Sequence, residues 1–290
     1  MLDDGSRVGE DKVANIGGQD ADREVQPRKN RGAMRTLFKK SVVGTAISLS
    51  LWVAVWFAIT NLELVDTEFL SPPQEIVMVL IELFDDGYAG SPLLTHFFVS
   101  LGRTLLGFGL AVIVAVPVGL IIGMNQTAYV VLNPVFSVLR PIPTIAFIPL
   151  VILWFGIGET SKILVIFVSA FLFIVLNVYS GVLQVSGEYK RVAQNLGAKW
   201  HHMFFYVILP GAAPSIMTGV KTGLAISWAV VVAAELIAAQ QGLGYMIMDA
   251  ATFFRIPVVY VGVLLIGVVG FLLESGVSGI ERKFIHWRGR

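Results

Sequence analysis

The stretch TLLGFGLAVIVAVPVGLIIGMNQTAYVVLNPVFSVL, residues 104–139, runs for 36 residues without a charged side chain. A helix of roughly 20 residues, rising about 1.5 Å per residue, crosses a hydrocarbon core of about 30 Å. The stretch is therefore too long for one crossing, and the polar Asn125, Gln126 and Thr127 divide it near the middle. It predicts the end of one membrane-spanning helix and the start of the next.

Charge-free runs elsewhere extend this pattern to six predicted spans, the fifth of which contains Lys221 and Glu235. Their approximate bounds are 41–60, 96–123, 128–158, 163–187, 216–238 and 256–273. The 290 residues are 56% hydrophobic and only 14% charged, and none is cysteine. Soluble domains average about 25% charged residues, so this composition excludes an ordinary soluble enzyme. We expect an all-α membrane protein with six transmembrane helices.

The charges predict the orientation. Six basic residues and no acid lie between residues 28 and 40, whereas residues 61–95 contain seven acids and neither Lys nor Arg. Because short cytoplasmic loops carry the excess of Lys and Arg, we expect both termini to be cytoplasmic. Residues 1–35 are expected to form a disordered cytoplasmic tail, and residues 36–290 the transmembrane permease domain.

The acidic segment 61–95 contains a second pattern. After Ser71, Pro72 and Pro73, apolar residues recur at helical spacing: Ile76, Val77, Leu80, Ile81 and Phe84. Proline is acceptable in the first turn of a helix, so the pattern predicts a short amphipathic helix at the outer membrane surface. A plain connecting loop is the alternative.

The predicted loop at 184–215 has 32 residues, whereas most connections in compact bundles are short. Its apolar residues recur every four positions: Val192, Leu196, Trp200 and Phe204. This predicts an amphipathic helix, or two short helices hinged at Gly197, with Pro210 and Pro214 closing the loop. Such a helix either rests on lipid headgroups or docks its apolar residues into a partner's groove.

Ala193, Gly197, Leu209 and Pro210 occur at spacings that decide between these alternatives. The order closely resembles the cytoplasmic signature of binding-protein-dependent ATP-binding-cassette (ABC) importer permeases. That signature is Glu-Ala-Ala, three residues, Gly, nine residues, then Ile-x-Leu-Pro. Arg191 stands where the family usually has Glu. The resemblance therefore favours the docking helix, but it predicts no ion pair through a Glu at this position.

Three further strings, LRPIP at 139–143, WFGIGETSK at 154–162 and VAAELIA at 232–238, look like one branch of that family. This branch moves taurine, alkanesulfonates, nitrate and bicarbonate, and the resemblance covers about residues 70–285. It implies a type I ABC importer permease fold in a bacterial inner membrane. It also implies a small oxyanion as the solute, namely taurine or another sulfonate, with nitrate, nitrite or bicarbonate as the alternative.

The resemblance implies the partners as well. ATP-binding ABC subunits would dock on the 187–203 region, a second permease copy would complete the pathway, and a periplasmic or lipid-anchored solute-binding protein would deliver substrate. Membrane lipid surrounds the chain, and we expect no nucleic acid because the net charge is +1. The residues expected at the ATPase contact are Glu188, Arg191, Ala193, Leu196, Gly197, Ala198, Trp200, Leu209 and Pro210.

The glycine clusters of the chain lack the Gly-Lys-Ser/Thr of a phosphate-binding loop. We therefore expect a subunit that is not itself an enzyme and binds no cofactor or metal, with ATP and Mg held by the partner ATPase. A stand-alone secondary transporter or channel is the rival interpretation, although the predicted spans show neither internal repeats nor paired carboxylates at mid-depth. An intramembrane enzyme would need a His/Asp/Ser or metal-ligand cluster, which the sequence does not show.

Charged side chains inside membrane spans cost about 2.5–3.5 kcal/mol each on insertion scales, so each is a candidate for function. Arg140 lies near the middle of the third span among Pro134, Pro141, Pro143 and Pro149, where a helix would break. It is interpreted as lining an anion pathway, or alternatively as capping carbonyls freed by the break.

Arg103 and Glu235 are also charged residues within spans. We expect Arg103 to serve a structural role while reaching the outer surface, and Glu235 to reach interface water. The full set of pathway candidates is Arg140, Asn177, Ser180, Trp228 and Glu235.

Overall fold

The computed structural model describes residues 31–66 and 69–285. Within these ranges all regular elements are helical, which confirms the all-α prediction. The expected tail at 1–35 lies outside the described residues, except that the first helix already begins at Arg31. The helices are α1 Arg31–Asn61, α2 Pro73–Asp85, α3 Leu93–Met124, α4 Gln126–Leu139, α5 Ile148–Phe155, α6 Glu159–Gln184, α7 Gly187–Asn195, α8 Trp200–Met203, α9 Leu209–Ala238, α10 Leu243–Thr252 and α11 Ile256–Phe284.

The chain divides into two compact units, Met1–Val55 and Trp56–Arg290. The described part of the first unit is the beginning of α1, a long helix whose stretch Val43–Asn61 is long and apolar enough to cross a membrane. The second unit contains the remaining helices and all of the core and candidate sites described below.

Five stretches of the described chain are long and apolar enough to cross a membrane: Val43–Asn61, Leu93–Met124, Glu159–Gln184, Trp200–Ile237 and Ile256–Lys283. A sixth is broken, because Gln126–Leu139 and Thr144–Phe155 meet at an angle of 88°. A 3-10 turn, Thr144–Phe147, lies between α4 and α5. The predicted count of six therefore holds when the bent pair is counted as one span.

The fifth span begins earlier than predicted, because α9 starts at Leu209 rather than near residue 216. Pro210 is the second residue of α9, which directly follows the π-helical turn Phe204–Ile208. Pro214 lies inside the helix, and Pro210 also lies within the unbroken helical stretch Trp200–Ile237, so the expectation that these two prolines close the loop is wrong. A π-helical turn, Phe204–Ile208, joins α8 directly to α9.

Helix α6 packs against α3 on one side and α9 on the other. Glycines allow this close approach, since a Cβ built on Gly119 of α3 would lie 2.6 Å from the Cβ of Val178 on α6. On the other side, a Cβ on Gly219 of α9 would lie 2.7 Å from the Cβ of Asn177. Small residues at helix interfaces let backbones pack closely where lipid supplies no hydrophobic driving force.

Helix α2 confirms the predicted amphipathic helix after the Ser-Pro-Pro sequence. Ile76 and Leu83 are buried, whereas Val77, Ile81 and Phe84 are exposed. The turn that follows is fastened to α10, because the Tyr88 hydroxyl donates a 2.7 Å hydrogen bond to Asp249 Oδ2. Burial of the Tyr88 phenol, together with this carboxylate, raises its pKa above the usual range. The location of α2 at the outer membrane surface stays a prediction.

Candidate functional site

The predicted docking loop folds as two short helices that change direction at Gly197. Helix α7 begins after Ser186, whose side chain accepts a 3.2 Å hydrogen bond from the Glu188 N–H. At its end, Gly197 N–H bonds the Gln194 carbonyl at 2.9 Å and Ala198 N–H bonds the Ala193 carbonyl at 3.0 Å. This pair of bonds is the Schellman motif, which requires a left-handed residue, and Gly197 has a φ of +74°. The hinge at Gly197 is therefore confirmed.

Apolar side chains on this segment point away from the protomer. Leu196 is 82% exposed and Trp200 71% exposed, and Val192 is exposed as well. Of the other predicted contact residues, Glu188, Arg191 and Gly197 are exposed, whereas Ala193, Ala198, Leu209 and Pro210 are half-buried. Large exposed apolar side chains on a polar surface mark an interaction site. We call residues 187–203 the docking segment.

Arg140 lies at the break in the third span, as predicted. It follows the last residue of α4, and its N–H bonds the Phe136 carbonyl at 2.8 Å. Its side chain is exposed, and its guanidinium makes no hydrogen bond to any described residue. Capping of carbonyls freed by the break is therefore not its role in this protomer, and the lining of an anion pathway stays a prediction.

The other pathway candidates do not form one site with Arg140. Asn177 faces α9, where its amide nitrogen donates to the Phe173 carbonyl at 2.8 Å. Trp228 is buried against α11 and donates from its indole N–H to the Ile266 carbonyl at 3.0 Å. Ser180 is half-buried on α6. Asn177 and Trp228 therefore lie at different helix interfaces, α6 with α9 and α9 with α11.

Glu235 and Arg103 form a buried ion pair that joins α9 to α3. Arg103 Nη1 lies 2.7 Å from Glu235 Oε1, with Glu235 only 1% exposed and Arg103 7% exposed. The expectations that Glu235 reaches interface water and that Arg103 reaches the surface are therefore wrong. A buried carboxylate requires a charge partner and hydrogen-bond donors, and this site supplies both.

The ion pair belongs to a larger polar network. Arg103 also donates to both carboxylate oxygens of Glu159, at 2.6 Å each, and to the Gln241 carbonyl at 2.7 Å. Lys162 Nζ lies 3.0 Å from Glu159 Oε1. The two cations and two carboxylates balance in charge and connect the start of α6 to α3 and α9.

Neutral donors complete the network around Glu235. Ser100 donates to Glu235 Oε2 at 2.7 Å and accepts from the Leu243 N–H at 2.8 Å, and the Gly244 N–H donates to Oε2 at 3.0 Å. His96, also buried, lies with Nε2 3.1 Å from the Tyr88 carbonyl and Nδ1 3.2 Å from the Gly242 nitrogen. Nδ1 lies equally 3.2 Å from the Gly242 carbonyl oxygen, so His96 connects α3 to the turn before α10. Sequence reasoning did not identify Ser100, His96, Glu159 or Lys162 as members of a common site.

Comparison with known proteins agrees with these features. The family model described as binding-protein-dependent transport system inner membrane component matches residues 115–286, more than half of the chain. The taurine transport system permease protein TauC of Escherichia coli (strain K12) is 39% identical over 83% of this chain and 88% of its own length. The putative aliphatic sulfonates transport permease protein SsuC of Bacillus subtilis (strain 168) is 36% identical over 93% of each chain.

A third relative and a solved structure extend the comparison. The nitrate import permease protein NrtB of Synechocystis sp. (strain ATCC 27184 / PCC 6803 / Kazusa) is 31% identical over 89% of this chain and 94% of its own. The MetNI methionine ABC transporter, in an inward-facing conformation, matches with a TM-score of 0.58 at 20% identity, covering 66% of this chain and 95% of that one. This likeness shows the ABC importer permease fold. The chain is thus a multi-pass inner-membrane permease subunit, and it belongs to the family of binding-protein-dependent transport system inner membrane components.

Proposed function

We propose that this permease imports taurine or another small sulfonate and is driven by a separate ATPase subunit that grips the docking segment. The observation that carries the proposal is the exposure of Leu196 and Trp200 on a segment whose shape is fixed by Gly197. An apolar helix face set into a partner's groove is a recurrent mode of recognition. ATP and Mg bind to the ATPase in this scheme, and the permease holds neither.

The connection between the docking segment and the spans supports a mechanical role. Helix α8, the π-helical turn and α9 follow one another without a loop, so Trp200–Ile237 forms one apolar helical stretch. A displacement of the docking segment would therefore tilt α9 directly. In the proposed cycle, ATP binding draws the docking segments of two permease copies together, and hydrolysis resets them. The spans then open alternately to the two sides of the membrane.

The nature of the solute is inferred from Arg140 and from the relatives. An exposed guanidinium at the break of a span suits an oxyanion, because Arg donates several N–H groups in a fixed planar array. The names of the relatives support taurine and aliphatic sulfonates first. Nitrate import by the same machinery is the second candidate, favoured by the nitrate permease relative. A separate solute-binding protein would deliver the anion, as the family name implies.

The experiment that tests the proposal is reconstitution into liposomes of the permease with and without its ATPase. The liposomes contain ATP and Mg, and the purified solute-binding protein is added outside with radiolabelled taurine. Uptake is expected only when the ATPase, ATP and the binding protein are all present. Uptake of taurine by the permease alone would contradict the proposal and favour a secondary transporter. Competition by excess nitrate distinguishes the two candidate solutes.

A further inference from the structure

A surface cavity of about 410 Å³ lies between α9 and α11. Its polar lining residues are Lys221 and Thr222 on α9 and Glu274 on α11, and its apolar lining includes Trp228 and Gly270. Small-molecule sites measure about 300–1,000 Å³ and combine apolar walls with a few polar groups that fix orientation. The cavity therefore has the size and the composition of a site for a small solute.

The charges around the cavity are unequal. Lys221 is paired with Glu281, so these two charges cancel. Glu274 is exposed and makes no hydrogen bond or ion pair with any described residue. Arg282 and Lys283 lie about 100° and 200° around the helix from Glu281, and neither lines the cavity. One carboxylate is thus left without a counter-charge, which favours a solute that carries a cationic group and disfavours a simple anion.

The spacing of the charges fits a zwitterion. Glu274 and Glu281 are seven residues apart on α11, which places them on one face and about 10 Å apart along the helix axis. Lys221 Nζ contacts Glu281 Oε2, and an ammonium group carries further N–H donors for a second acceptor. Two hydrogen bonds of about 3 Å each leave roughly 4 Å for the solute. An ammonium and a sulfonate group joined by two carbons are about this far apart.

The order of the charges distinguishes a free solute from a lipid headgroup. An ethanolamine phospholipid offers the same pair of groups, but its phosphate lies between the ammonium and the acyl chains. Glu281 lies near the end of the span Ile256–Lys283, whereas Glu274 lies two turns deeper. A lipid with its phosphate on Lys221 would therefore direct its ammonium group away from Glu274. A free zwitterion has no chains to orient it and can place its ammonium group at the deeper position.

We propose that this cavity binds a free aminosulfonate, with its ammonium group on Glu274 and its sulfonate on Lys221. The charge distribution of the sequence predicts that this end of the spans is cytoplasmic, so solute occupies the cavity as it leaves the membrane. The inference rests on the proposed function and narrows its solute class to zwitterionic sulfonates such as taurine. Nitrate and bicarbonate carry no ammonium group, so the cavity would not retain them.

The test measures taurine binding to the full complex with its ATPase, in phosphatidylcholine nanodiscs, by saturation-transfer difference NMR. Glu274→Gln removes the charge but keeps the size of the side chain and should weaken taurine binding about 10-fold or more. Glu274→Asp keeps the carboxylate on a shorter side chain and should give an intermediate affinity. The matched control is Glu82→Gln, which makes the same substitution at an exposed position of α2 and should leave the affinity unchanged.

Two further arms identify the group that is recognised and its source. Ethanesulfonate, which lacks the ammonium group, should compete with taurine at least about 10-fold more weakly than unlabelled taurine does. Adding phosphatidylethanolamine to the nanodiscs should leave the taurine signal unchanged. Equal competition by ethanesulfonate, or loss of the taurine signal when this lipid is present, would overturn the inference, and the second result would assign the cavity to the lipid headgroup.

Uptake into liposomes separates this inference from the proposed function. If the wild-type complex with its ATPase, ATP and the binding protein takes up no taurine, the proposed function itself fails. If the wild type transports taurine and Glu274→Gln binds it equally well, only the cavity site is overturned. Reduced uptake by Glu274→Gln with unchanged taurine binding would give Glu274 a mechanical role and would overturn the site as well.

Discussion

Arg103 on α3 and Glu235 on α9 form an ion pair of 2.7 Å although they lie 132 residues apart in the sequence. The pair is almost completely buried, and its Glu235 carboxylate is bound by Ser100 and by the Gly244 N–H as well. A carboxylate repels an anion, and the donors that surround Glu235 are already directed at its own two oxygens. The pair is therefore better suited to fastening α3, α9 and α10 together than to contacting solute.

Removing one partner should leave the other charge buried and unpaired. We expect Glu235→Ala to lower the free energy of unfolding by about 3–5 kcal/mol, measured by SDS titration of the purified permease in detergent. Lys221→Ala, which breaks the more exposed pair between Lys221 and Glu281, is the control and should cost clearly less. Equal losses in the two variants would show that burial of the Arg103–Glu235 pair has no energetic consequence.

We expect substitution of Gly242 to destabilise the fold through two effects, backbone strain and a steric clash, which suitable variants can separate. Its φ is +127°, and a Cβ built on it would lie 2.5 Å from both carboxylate oxygens of Glu235. Gly242→Ala should therefore both strain the backbone and displace Glu235, costing more than the roughly 1–3 kcal/mol of backbone strain alone. Gly90→Ala also places a Cβ on a residue with a positive φ, of +77°, but in open space. If the two variants lose similar amounts of unfolding free energy, the clash with Glu235 makes no measurable contribution.

Much of the fold can be predicted from the charge-free runs, because a chain in lipid must satisfy its backbone groups within helices. Sequence reasoning fails at Pro214, which was predicted to end a helix but lies inside one. Proline ends most helices in water, whereas in a packed membrane span neighbouring groups compensate for the lost hydrogen bond. The prolines near Arg140 do break a span, so proline content alone does not distinguish a kinked helix from an interrupted one.

The docking segment is predictable because its signal is local: a four-residue apolar repeat interrupted by Gly197. The polar network is not, because its members come from α3, α6, α9 and the turn before α10. The sequence alone does not show that Arg103 and Glu235 are close in space. Their opposite charges inside two spans are the only available signal, since each charge alone would be costly in lipid.

The exposed apolar residues of the docking segment should determine ATPase binding. Leu196→Ala is expected to weaken the association of the ATPase with the permease about 10-fold or more, measured by co-purification and by titration in nanodiscs. Leu272→Ala removes an equally large exposed side chain from α11 and serves as the control. Undiminished ATPase binding by Leu196→Ala together with Trp200→Ala would place the motor elsewhere on the permease.

Gly197 should couple ATP hydrolysis to transport by setting the angle between α7 and α8. Gly197→Val is expected to insert into the membrane normally but to lose substrate-stimulated uptake, because a β-branched residue cannot adopt a φ of +74° without strain. Gly197→Asn tolerates the left-handed conformation and should retain most of the uptake. Normal uptake by Gly197→Val would contradict the proposed role of this joint.

Arg140 should act on the moving anion rather than on assembly. Its guanidinium is exposed at the 88° break, and its removal breaks no hydrogen bond or ion pair with a described residue. We expect Arg140→Ala to reduce taurine uptake at least about 10-fold while the ATPase still co-purifies, since a charge-assisted hydrogen bond is worth about 1.5–3 kcal/mol. Arg140→Lys keeps the charge but not the planar donor array and should give an intermediate rate. If both variants transport at the wild-type rate, the anion does not pass Arg140, and the pathway lies along another face of the spans.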